Sequence, residues 1–317
     1  MSRTLFLPLI GRLSRIYFSN IINKDYAYKR TIFYALKHLG GVYIKFLQVL
    51  CINHDFMNGW GGPKEFEVFN KVQTEPINIH NYLSKKEGFS SVEEEPFACG
   101  SFAQLYKGKL KTGEIVAIKV LRPSIGGTLK TDLIKLRKLI NMFGRFLPNS
   151  VINYKMAFDE FSRICLLETD YEREVSNMHY FYNLYKKHPH VIIPKAYDEF
   201  CNRNVIVQDY IEGPTLADLI SNIKSDDKLS SVAYSLTGSD VWAQIAIAGG
   251  EALRTAMTTD YIFGDPHPGN IILLPKNKIA LIDFGIIASK PTSQEAFYLW
   301  TKSYYDFLRG EGDWARL

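Results

Sequence analysis

Cysteine is scarce in this sequence, and the spacing of the four residues excludes two of its common uses. The 317-residue chain holds Cys51, Cys99, Cys165 and Cys201, and no two of them form a C-x-x-C pair. A disulfide framework or a cysteine zinc site is therefore not expected. Scattered, unpaired cysteines are typical of proteins in a reducing compartment, which predicts a cytoplasmic protein.

Long apolar runs, internal repeats and low-complexity tracts are also missing. No stretch approaches the ~20 apolar residues that a membrane-spanning helix needs. The first apolar run is broken by Pro8, Gly11 and Arg12, and no small-residue cleavage site follows it, so a secretory signal is not expected. A composition of 46% hydrophobic and 22% charged residues predicts a globular protein with one large domain or two smaller ones.

Acidic residues are almost missing from the first 48 positions, which carry one aspartate against eight lysines and arginines. This arm has a charge of +7, so the rest of the chain, whose total is +5, carries about −2. With its interspersed leucines and aromatics the arm could lie on an anionic membrane surface. The favoured alternative is an amphipathic helix that packs on its own domain, because a solvated basic face is normal on such helices. Nucleic acid is not expected as a partner.

Hydrophobic periodicity and turn residues divide the chain into a strand-rich part and a helix-rich part. The segments "SFAQLYKGKL" and "IVAIKVL", joined by "KTGE", predict a hairpin in which Gly113 supplies the left-handed turn residue. A second strand pair is predicted at "VIIPKAYDEF" and "NVIVQDYI". Helical patterns are predicted at 26–57, 128–146, 151–187, 239–260 and about 293–309. This order predicts an α+β fold of two lobes with a ligand cleft between them.

The segment "FGDPHPGNIILLPKNKIALIDFG", residues 263–285, places three oxygen-bearing side chains around two short apolar runs. Asp265 and Asn270 lie in a loop rich in proline and glycine, and Asp283 follows a predicted strand. Carboxylate and amide oxygens suit a magnesium ion that also binds the phosphates of a nucleotide. The segment therefore predicts a metal site that needs a phosphate-binding lysine and loop elsewhere in the chain.

Both missing parts precede this segment in the sequence. Lys119 lies in mid-strand in "EIVAIKVLRP", where an anionic partner would offset the cost of burying an amine. Before it, a loop of small residues would let backbone N–H groups approach phosphate: Ala98, Cys99, Gly100 and Ser101. V-A-I-K and D-F-G, in this order, are signature elements of protein kinases.

Each of these residues also has a purely structural explanation. Lys119 could be an edge-strand lysine that faces water, Asp265 and Asn270 could form Asx-type turns beside prolines, and Asp283 could cap a turn. Acidic residues of the long helix could be solvated. The ordered combination favours the functional interpretation over these separate ones.

Four segments of the chain, covering about residues 35–290, resemble the UbiB/AarF family of atypical protein-kinase-like proteins. They are the "DPHPGN" loop, the stretch "ACGSFAQLYKGKLKTGEIVAIKVLRP", the helix motif "ETDYEREVSN" at 168–177 and "YIKFLQ" at 43–48. The resemblance implies a bilobal protein-kinase-like α+β fold with an N-terminal helical extension and a truncated helical C-lobe. The expected domains are the extension (1–85), the N-lobe with strands and long inserted helices (86–212) and a partial C-lobe (213–317).

The resemblance also implies a role for each matching residue. Lys119 pairs the α/β-phosphates and is held by a helix glutamate. Glu168 and Glu174 are both candidates; on one helix they would point about 120° apart, and Glu174 is preferred. Asp265 is the catalytic-loop aspartate, and magnesium is bound by Asn270 and Asp283. The remaining assignments are the gatekeeper and hinge that read adenine, Gln208, Asp209, Tyr210 and Ile211, and the regulatory E-x-D and N-terminal motif residues, Asp170, Lys45 and Gln48.

Three residues depart from the family pattern. Gly100 replaces the alanine before the serine, and the freedom of glycine to adopt φ > 0 predicts tighter or differently posed nucleotide binding. Leu47 replaces the glycine of the K-x-G-Q motif, which crowds that segment. Phe263 stands where protein kinases have an architectural histidine. The chain also ends about thirty residues after D-F-G, which predicts an incomplete helical lobe.

The function predicted first is an ATP-binding, magnesium-dependent atypical kinase or ATPase linked to quinone or lipid metabolism. Lys45 and Gln48 would occlude a protein-substrate groove, so ATP hydrolysis is expected rather than peptide phosphorylation. Besides the nucleotide, the expected partners are an anionic membrane surface, where the protein would be peripheral, and proteins of quinone or lipid biosynthesis. The alternatives are a small-molecule phosphotransferase of the aminoglycoside or choline kinase type and a nucleotide-sensing module without turnover.

Overall fold

The computed structural model describes residues 41–43, 45–46, 76–143, 154–222, 226–265 and 267–289, together with 293, 294 and 298. Several predictions therefore lie wholly or mostly outside the described residues. They are the basic arm, Leu47, Gln48 and the last helix. Within the described part, no helix is long and apolar enough to cross a membrane.

The chain forms two compact units. The first comprises Met1–Ile77, Ala98–Gln104 and Leu121–Cys165, and the second comprises Asn78–Phe97, Leu105–Val120 and Leu166–Leu317. In chain order the strands are β1 (Phe89–Val92), β2 (Ala98–Cys99), β3 (Ala103–Leu110), β4 (Ile115–Leu121), β5 (Val191–Ile192), β6 (Val205–Asp209), β7 (Tyr261–Phe263), β8 (Ile271–Leu274), β9 (Lys278–Leu281) and β10 (Ile287–Ser289). The helices are α1 (Pro123–Gly126), α2 (Leu129–Phe143), α3 (Tyr154–Glu168), α4 (Tyr171–Tyr185), α5 (Leu216–Asn222), α6 (Asp226–Thr237) and α7 (Val241–Thr258).

In the first unit, aromatic side chains hold the described part of the N-terminal segment against α3. The ring of Phe46 makes edge contacts with Phe158 and Phe161 at centroid distances of 6.4 and 5.2 Å. Arg137 of α2 forms an ion pair with Asp159 and lies over the Phe158 ring. The predicted helix at 26–57 is therefore described only at residues 41–43 and 45–46, where Phe46 packs against α3.

In the second unit, the main sheet has the strand order β1-β3-β4-β6. Strands β4 and β6 are antiparallel, with Val116 opposite Asp209 and Lys119 opposite Ile206. Apart from Ile115 at the start of β4, their valines and isoleucines are almost fully buried, as expected for strands covered on both faces. The predicted hairpin of β3 and β4 is confirmed, and Gly113 in its turn has φ of 108°.

Two smaller sheets carry the segment 261–289. Strands β8 and β9 form an antiparallel hairpin, which β5 joins by parallel pairing with β9. Strands β7 and β10 pair antiparallel on either side of this hairpin in the sequence. The mixture of an antiparallel main sheet with separate helices confirms the predicted α+β class.

The predicted helix at 151–187 is wrong in one respect, because the structure divides it into α3 and α4. The break falls at Thr169 and Asp170. Asp170 is the N-cap of α4, and its carboxylate accepts a hydrogen bond from the N–H of Arg173 at 3.1 Å. An N-cap aspartate satisfies a backbone donor that the first helical turn leaves open, which stabilises a new helix start at this point.

The predicted pairing of "VIIPKAYDEF" with "NVIVQDYI" is also wrong in extent. Only Val191 and Ile192 form a strand, and they pair with β9 of another sheet. The pairing of this segment with β6 is limited to an isolated bridge between Ala196 and Gln208 and the backbone hydrogen bonds beside it, from Tyr197 N–H to the Val207 carbonyl and from Asp209 N–H to the Lys195 carbonyl. Pro194 follows the short apolar run directly, and proline cannot donate to a ladder, which agrees with the early end of β5.

Candidate functional site

Lys119 is presented by the centre of β4. Its neighbours Ile118 and Val120 are fully buried, and alternation along the strand places Lys119 on the opposite face. The Lys119 Nζ atom donates to both carboxylate oxygens of Glu174, at 2.7 and 2.9 Å. It also donates to Oδ2 of Asp283 at 3.3 Å. The strand lysine, the helix glutamate and the D-F-G aspartate therefore converge within one compact unit.

Glu174 lies on the first turns of α4 and is 1% exposed. Burial raises the pKa of Glu174 to about 7, while the charge of Lys119 acts in the opposite direction. For Lys119, burial alone would lower the pKa, but the carboxylates of Asp283 and Glu174 raise it well above its usual range. The ammonium therefore stays charged near neutral pH, and once Glu174 is ionised the two carboxylates leave the group with an excess of negative charge.

The D-F-G segment is held to α4 through its backbone. The amide nitrogen of Asn177 donates to the carbonyl of Phe284 at 2.8 Å, and Arg173 donates to the carbonyl of Gly285 at 3.3 Å. The Phe284 ring is fully buried and packs 5.3 Å from the ring of Phe181 on the same helix. Because α4 also carries Glu174, one helix fixes both the partner of Lys119 and the loop that bears Asp283.

Gly285 lies where this loop is crowded. A Cβ at this position would lie 3.3 Å from Oδ1 of Asp283, 3.6 Å from Oε2 of Glu174 and 3.9 Å from the Cα of Glu168. The Gly285 N–H donates to that same Oδ1 at 3.0 Å. The Asp283 side chain is nevertheless 37% exposed, so its carboxylate remains accessible to a ligand.

The Asp265–Asn270 loop reaches the D-F-G segment through the β8–β9 hairpin. Asn270 directly precedes β8 and Asp283 follows β9 by two residues, so the hairpin brings them to the same end. The N–H of Ile282 donates to the carbonyl of Asn270 at 3.2 Å. The amide nitrogen of Asn270 donates to Oδ2 of Asp265 at 2.9 Å, which directs the amide oxygen away from this carboxylate. His267 Nδ1 accepts from the Gly269 N–H and so structures the loop.

The predicted hinge, Gln208–Ile211, comprises the last two residues of β6 and the two residues after it. The N–H groups of Asp209 and Tyr210 donate to the carbonyls of Lys195 and Ile115. The Asp209 carboxylate accepts from the Lys195 N–H and from the Tyr197 hydroxyl. These two backbone donors are therefore occupied, so adenine recognition by this segment would fall to its carbonyls and to Ile211.

The small-residue loop Ala98–Ser101 belongs to the first unit. The N–H of Gly100 donates to the carbonyl of Ala103 at 2.9 Å. The guanidinium of Arg122 donates to the Gly100 carbonyl at 3.1 and 2.7 Å. Gly100 is not among the residues with positive φ, and a Cβ there would meet only the Ala103 carbonyl, at 3.7 Å. The conformational reason given for this glycine is therefore wrong, because an alanine fits the same backbone.

The E-x-D residues and the N-terminal motif are placed as follows. Glu168 ends α3, and its negative charge acts on Glu174. Because Glu168 and Glu174 lie on different helices, the predicted 120° separation on one helix does not apply. Asp170 caps α4. Lys45 lies in the first unit, and Gln48 lies outside the described residues.

Two residues of this site were missed by the sequence analysis, Asn177 and Arg173. Asn177 lies three positions after Glu174, which places both on one face of a helix. A buried polar residue at that spacing is the signal that could have identified it. Arg173 carries no comparable signal, since an arginine in the first turn of a helix is ordinarily solvated.

The donor set fits a magnesium ion that is completed by phosphate. Within the part of the chain that is described, no three His, Cys, Asp or Glu side chains cluster into a metal site. Magnesium usually takes only one or two carboxylates from the protein and fills its octahedron with waters and substrate phosphates. Asp283 and the amide oxygen of Asn270 have the chemistry and the accessibility for this role.

A strand lysine paired with a helix glutamate, a D-F-G aspartate and a D-x-x-x-x-N loop together define a protein-kinase-like site. A family model described as the ABC1 atypical kinase-like domain matches residues 74–304. The chain therefore belongs to the ABC1 atypical kinase-like family, which confirms the UbiB/AarF resemblance.

Two curated relatives illustrate this membership. "Protein ACTIVITY OF BC1 COMPLEX KINASE 1, chloroplastic" of Arabidopsis thaliana is 30% identical over 246 residues, which cover 77% of this chain and 33% of the relative. "AarF domain-containing kinase 1" of Drosophila melanogaster is 29% identical over 270 residues, which cover 77% of this chain and 49% of the relative. The chain thus spans a third to a half of the length of these two relatives.

The fold is also that of a solved structure, the Rv3197–erythromycin complex from Mycobacterium tuberculosis. The two share a TM-score of 0.53 and 22% identity, over 89% of this chain and 68% of that one. At this identity the likeness shows a shared fold alone.

Proposed function

We propose that this chain binds magnesium–ATP and acts as an atypical kinase or ATPase. The observation that carries the proposal is the convergence of Lys119, Glu174 and Asp283, with the amine 2.7 Å from one carboxylate and 3.3 Å from the other. In protein kinases the corresponding lysine–glutamate pair and D-F-G aspartate must both be in place for phosphoryl transfer.

The charges of this group support a nucleotide–metal ligand. One ammonium and two carboxylates carry a net charge of −1, which a divalent cation would reverse. Asp283 and Asn270 would hold the cation. The three donors of Lys119 are taken by Glu174 and Asp283, so Lys119 would exchange its hydrogen bond to Asp283 for one to a phosphate oxygen. Magnesium, when bound, would offset the negative charge of the phosphates.

Asp265 is proposed to orient the hydroxyl or water that receives the phosphoryl group. Its carboxylate is held by the amide nitrogen of Asn270 at 2.9 Å, so the same loop fixes a metal-binding oxygen and the catalytic carboxylate. Positioning of this kind supplies much of the rate enhancement in phosphoryl transfer, where the protein takes little part in covalent chemistry.

The proposed context is quinone or lipid metabolism at a membrane surface. It is supported by the family motifs and by the basic, apolar character of the first 48 residues. Hydrolysis is preferred to protein phosphorylation because the family's Lys/Gln motif, represented here by Lys45 and Gln48, is expected to occlude a peptide groove.

The test is ADP release from magnesium–ATP by the wild-type protein and by Asp283→Ala, with and without vesicles that contain anionic lipid. The exposed aspartate Asp260 provides a matched control, Asp260→Ala. We expect the wild type and the control to release ADP at equal rates. The rate for Asp283→Ala should be at least 100-fold lower, because removal of a single transition-state electrostatic contact costs about 10²–10³ in kcat.

Equal rates for wild type and Asp283→Ala would eliminate the enzyme interpretation and leave a nucleotide sensor. Adding candidate acceptors separates the remaining alternatives. Strong turnover that depends on one amino-alcohol or aminoglycoside would replace the proposal with a small-molecule phosphotransferase. Stimulation by anionic vesicles would support the membrane context, and its absence would remove that part of the proposal.

A further inference from the structure

Tyr171, the first residue of α4, has a buried hydroxyl group that makes no hydrogen bond. The residue is 1% exposed, and its oxygen has no partner. Among the described residues, the amide oxygen of Gln244 is the other buried side-chain polar atom in this condition. Buried polar atoms in native proteins are nearly always paired, so an exception of this kind requires an explanation.

The unpaired oxygen destabilises the folded chain when no ligand is bound. A hydroxyl taken out of water without a replacement hydrogen bond loses its hydration and gains nothing in return. A phenylalanine would fill the same volume without that cost. The presence of the oxygen is therefore explained better by a group that enters the site than by the packing of α4.

Tyr171 lies beside the proposed nucleotide–metal site. The ammonium of Lys119 lies 5.4 Å from the centre of the Tyr171 ring. The charges of Lys119, Glu174, Asp283 and Glu168 all act on the phenol, and burial raises its pKa above the usual range. The hydroxyl is therefore a neutral group that can both donate and accept a hydrogen bond near neutral pH.

The charges around the phenol favour a cation and its water over an anion. One ammonium and three carboxylates leave a net charge of −2, which repels a bare phosphate. Magnesium keeps several of its waters in nucleotide sites, and those waters need acceptors and donors in the surrounding protein.

We propose that the Tyr171 hydroxyl binds a water molecule of the magnesium ion held at Asp283. The inference rests on the proposed function and adds a positioning residue to it. Tyr171 acts on the metal through this water and does not coordinate the ion itself. The site is thus completed by a residue from the same helix that supplies Glu174 and Asn177.

The test measures Mn²⁺, as a spectroscopic substitute for Mg²⁺, by the electron paramagnetic resonance signal of the free ion in the presence of ATP. The variant is Tyr171→Phe, which removes only the oxygen. We expect the affinity of the protein–ATP complex for Mn²⁺ to fall about 10-fold, the lower end of the effect of removing an outer-shell partner. The thermal unfolding midpoint without ligands should stay the same or rise, because the substitution removes the unpaired buried hydroxyl.

Tyr185→Phe is the matched control. Tyr185 ends the same helix, is buried, and its hydroxyl interacts with Glu251 and Arg254. We expect this control to lower the thermal midpoint and to leave the Mn²⁺ affinity unchanged. The two variants should therefore differ: Tyr171→Phe lowers the Mn²⁺ affinity without loss of stability, and Tyr185→Phe lowers the stability without loss of Mn²⁺ affinity.

Two outcomes would overturn the inference and are distinguishable from each other. If wild type binds no Mn²⁺–ATP, the proposed function fails and the role of Tyr171 fails with it. If wild type binds Mn²⁺–ATP and Tyr171→Phe binds it equally well, the proposed function stands, and the hydroxyl has no part in the site.

Discussion

Replacement of Glu174 by alanine tests whether the buried ion pair with Lys119 organises the site. The carboxylate is almost fully buried and accepts two hydrogen bonds from the Lys119 ammonium, at 2.7 and 2.9 Å. Removing one partner of a buried pair costs about 3–5 kcal/mol, because an uncompensated charge is left behind. Asp283 remains 3.3 Å from the amine, so we expect a loss near the lower limit, about 3 kcal/mol.

The assay is urea unfolding followed by tryptophan fluorescence, with Glu172→Ala as the control. Glu172 lies on the first turn of the same helix and is exposed. A substitution at such a position should change the free energy of unfolding by less than about 0.5 kcal/mol. At about 2 °C per kcal/mol, the value for larger domains, the thermal midpoint of Glu174→Ala should fall by about 6 °C.

A second substitution shows whether the loss of stability comes from the broken ion pair or from a simple loss of packing. In Lys119→Met/Glu174→Ala the uncompensated ammonium is removed, so part of the lost stability should return. Residues in direct contact usually show coupling of about 0.5–3 kcal/mol in such a double-mutant cycle. Additive effects, or a Glu174→Ala variant as stable as Glu172→Ala, would refute the reasoning.

Three further predictions concern Asn177, Glu174 and Gly100. Asn177→Ala leaves the buried carbonyl of Phe284 unpaired, so we expect a loss of about 1–3 kcal/mol in urea unfolding; a change within error would contradict the proposed link between α4 and the D-F-G segment. Glu174 has a folded-state pKa raised to about 7, so its contribution is fully present below its unfolded pKa and is lost as pH rises to 7 and beyond. In metal-free buffer, wild type should therefore lose stability from pH 5 to 8 more steeply than Glu174→Gln, and parallel profiles would disprove this. Gly100→Ala should fold with unchanged stability, because its Cβ meets only one carbonyl at 3.7 Å; a lower thermal midpoint would show that the loop has no room.

The sequence predicted the parts of the site that local motifs encode. Lys119 lies within a short apolar run typical of a strand, and Asp283 directly follows another. In both cases the charged residue and the apolar run are visible in the sequence. The turn glycine Gly113 was predicted for the same reason, since its role depends on neighbours within four positions. Such features are set by local backbone geometry and need no knowledge of distant partners.

The parts that were missed depend on contacts between distant residues. Asn177 and Phe284 are separated by 107 positions, and β5 pairs with β9 rather than with the strand that follows it. The break before α4 had a local signal in Asp170, a good N-cap, but the apolar pattern continued across it and favoured one long helix. The sequence could not predict that the Tyr171 hydroxyl is buried without a hydrogen-bond partner, because this depends on all the residues packed around it in the folded chain.

The most direct test of the central claim is a titration of thermal stability with magnesium–ATP and magnesium–ADP. A ligand that binds only the folded state stabilises it by about 2.7 kcal/mol at 100 times its Kd. The account predicts a rise of several degrees in the midpoint of the wild-type protein, and none for Lys119→Met or Asp283→Asn at the same concentrations. A wild-type midpoint that does not move at saturating nucleotide, or an equal rise in all three proteins, would contradict it.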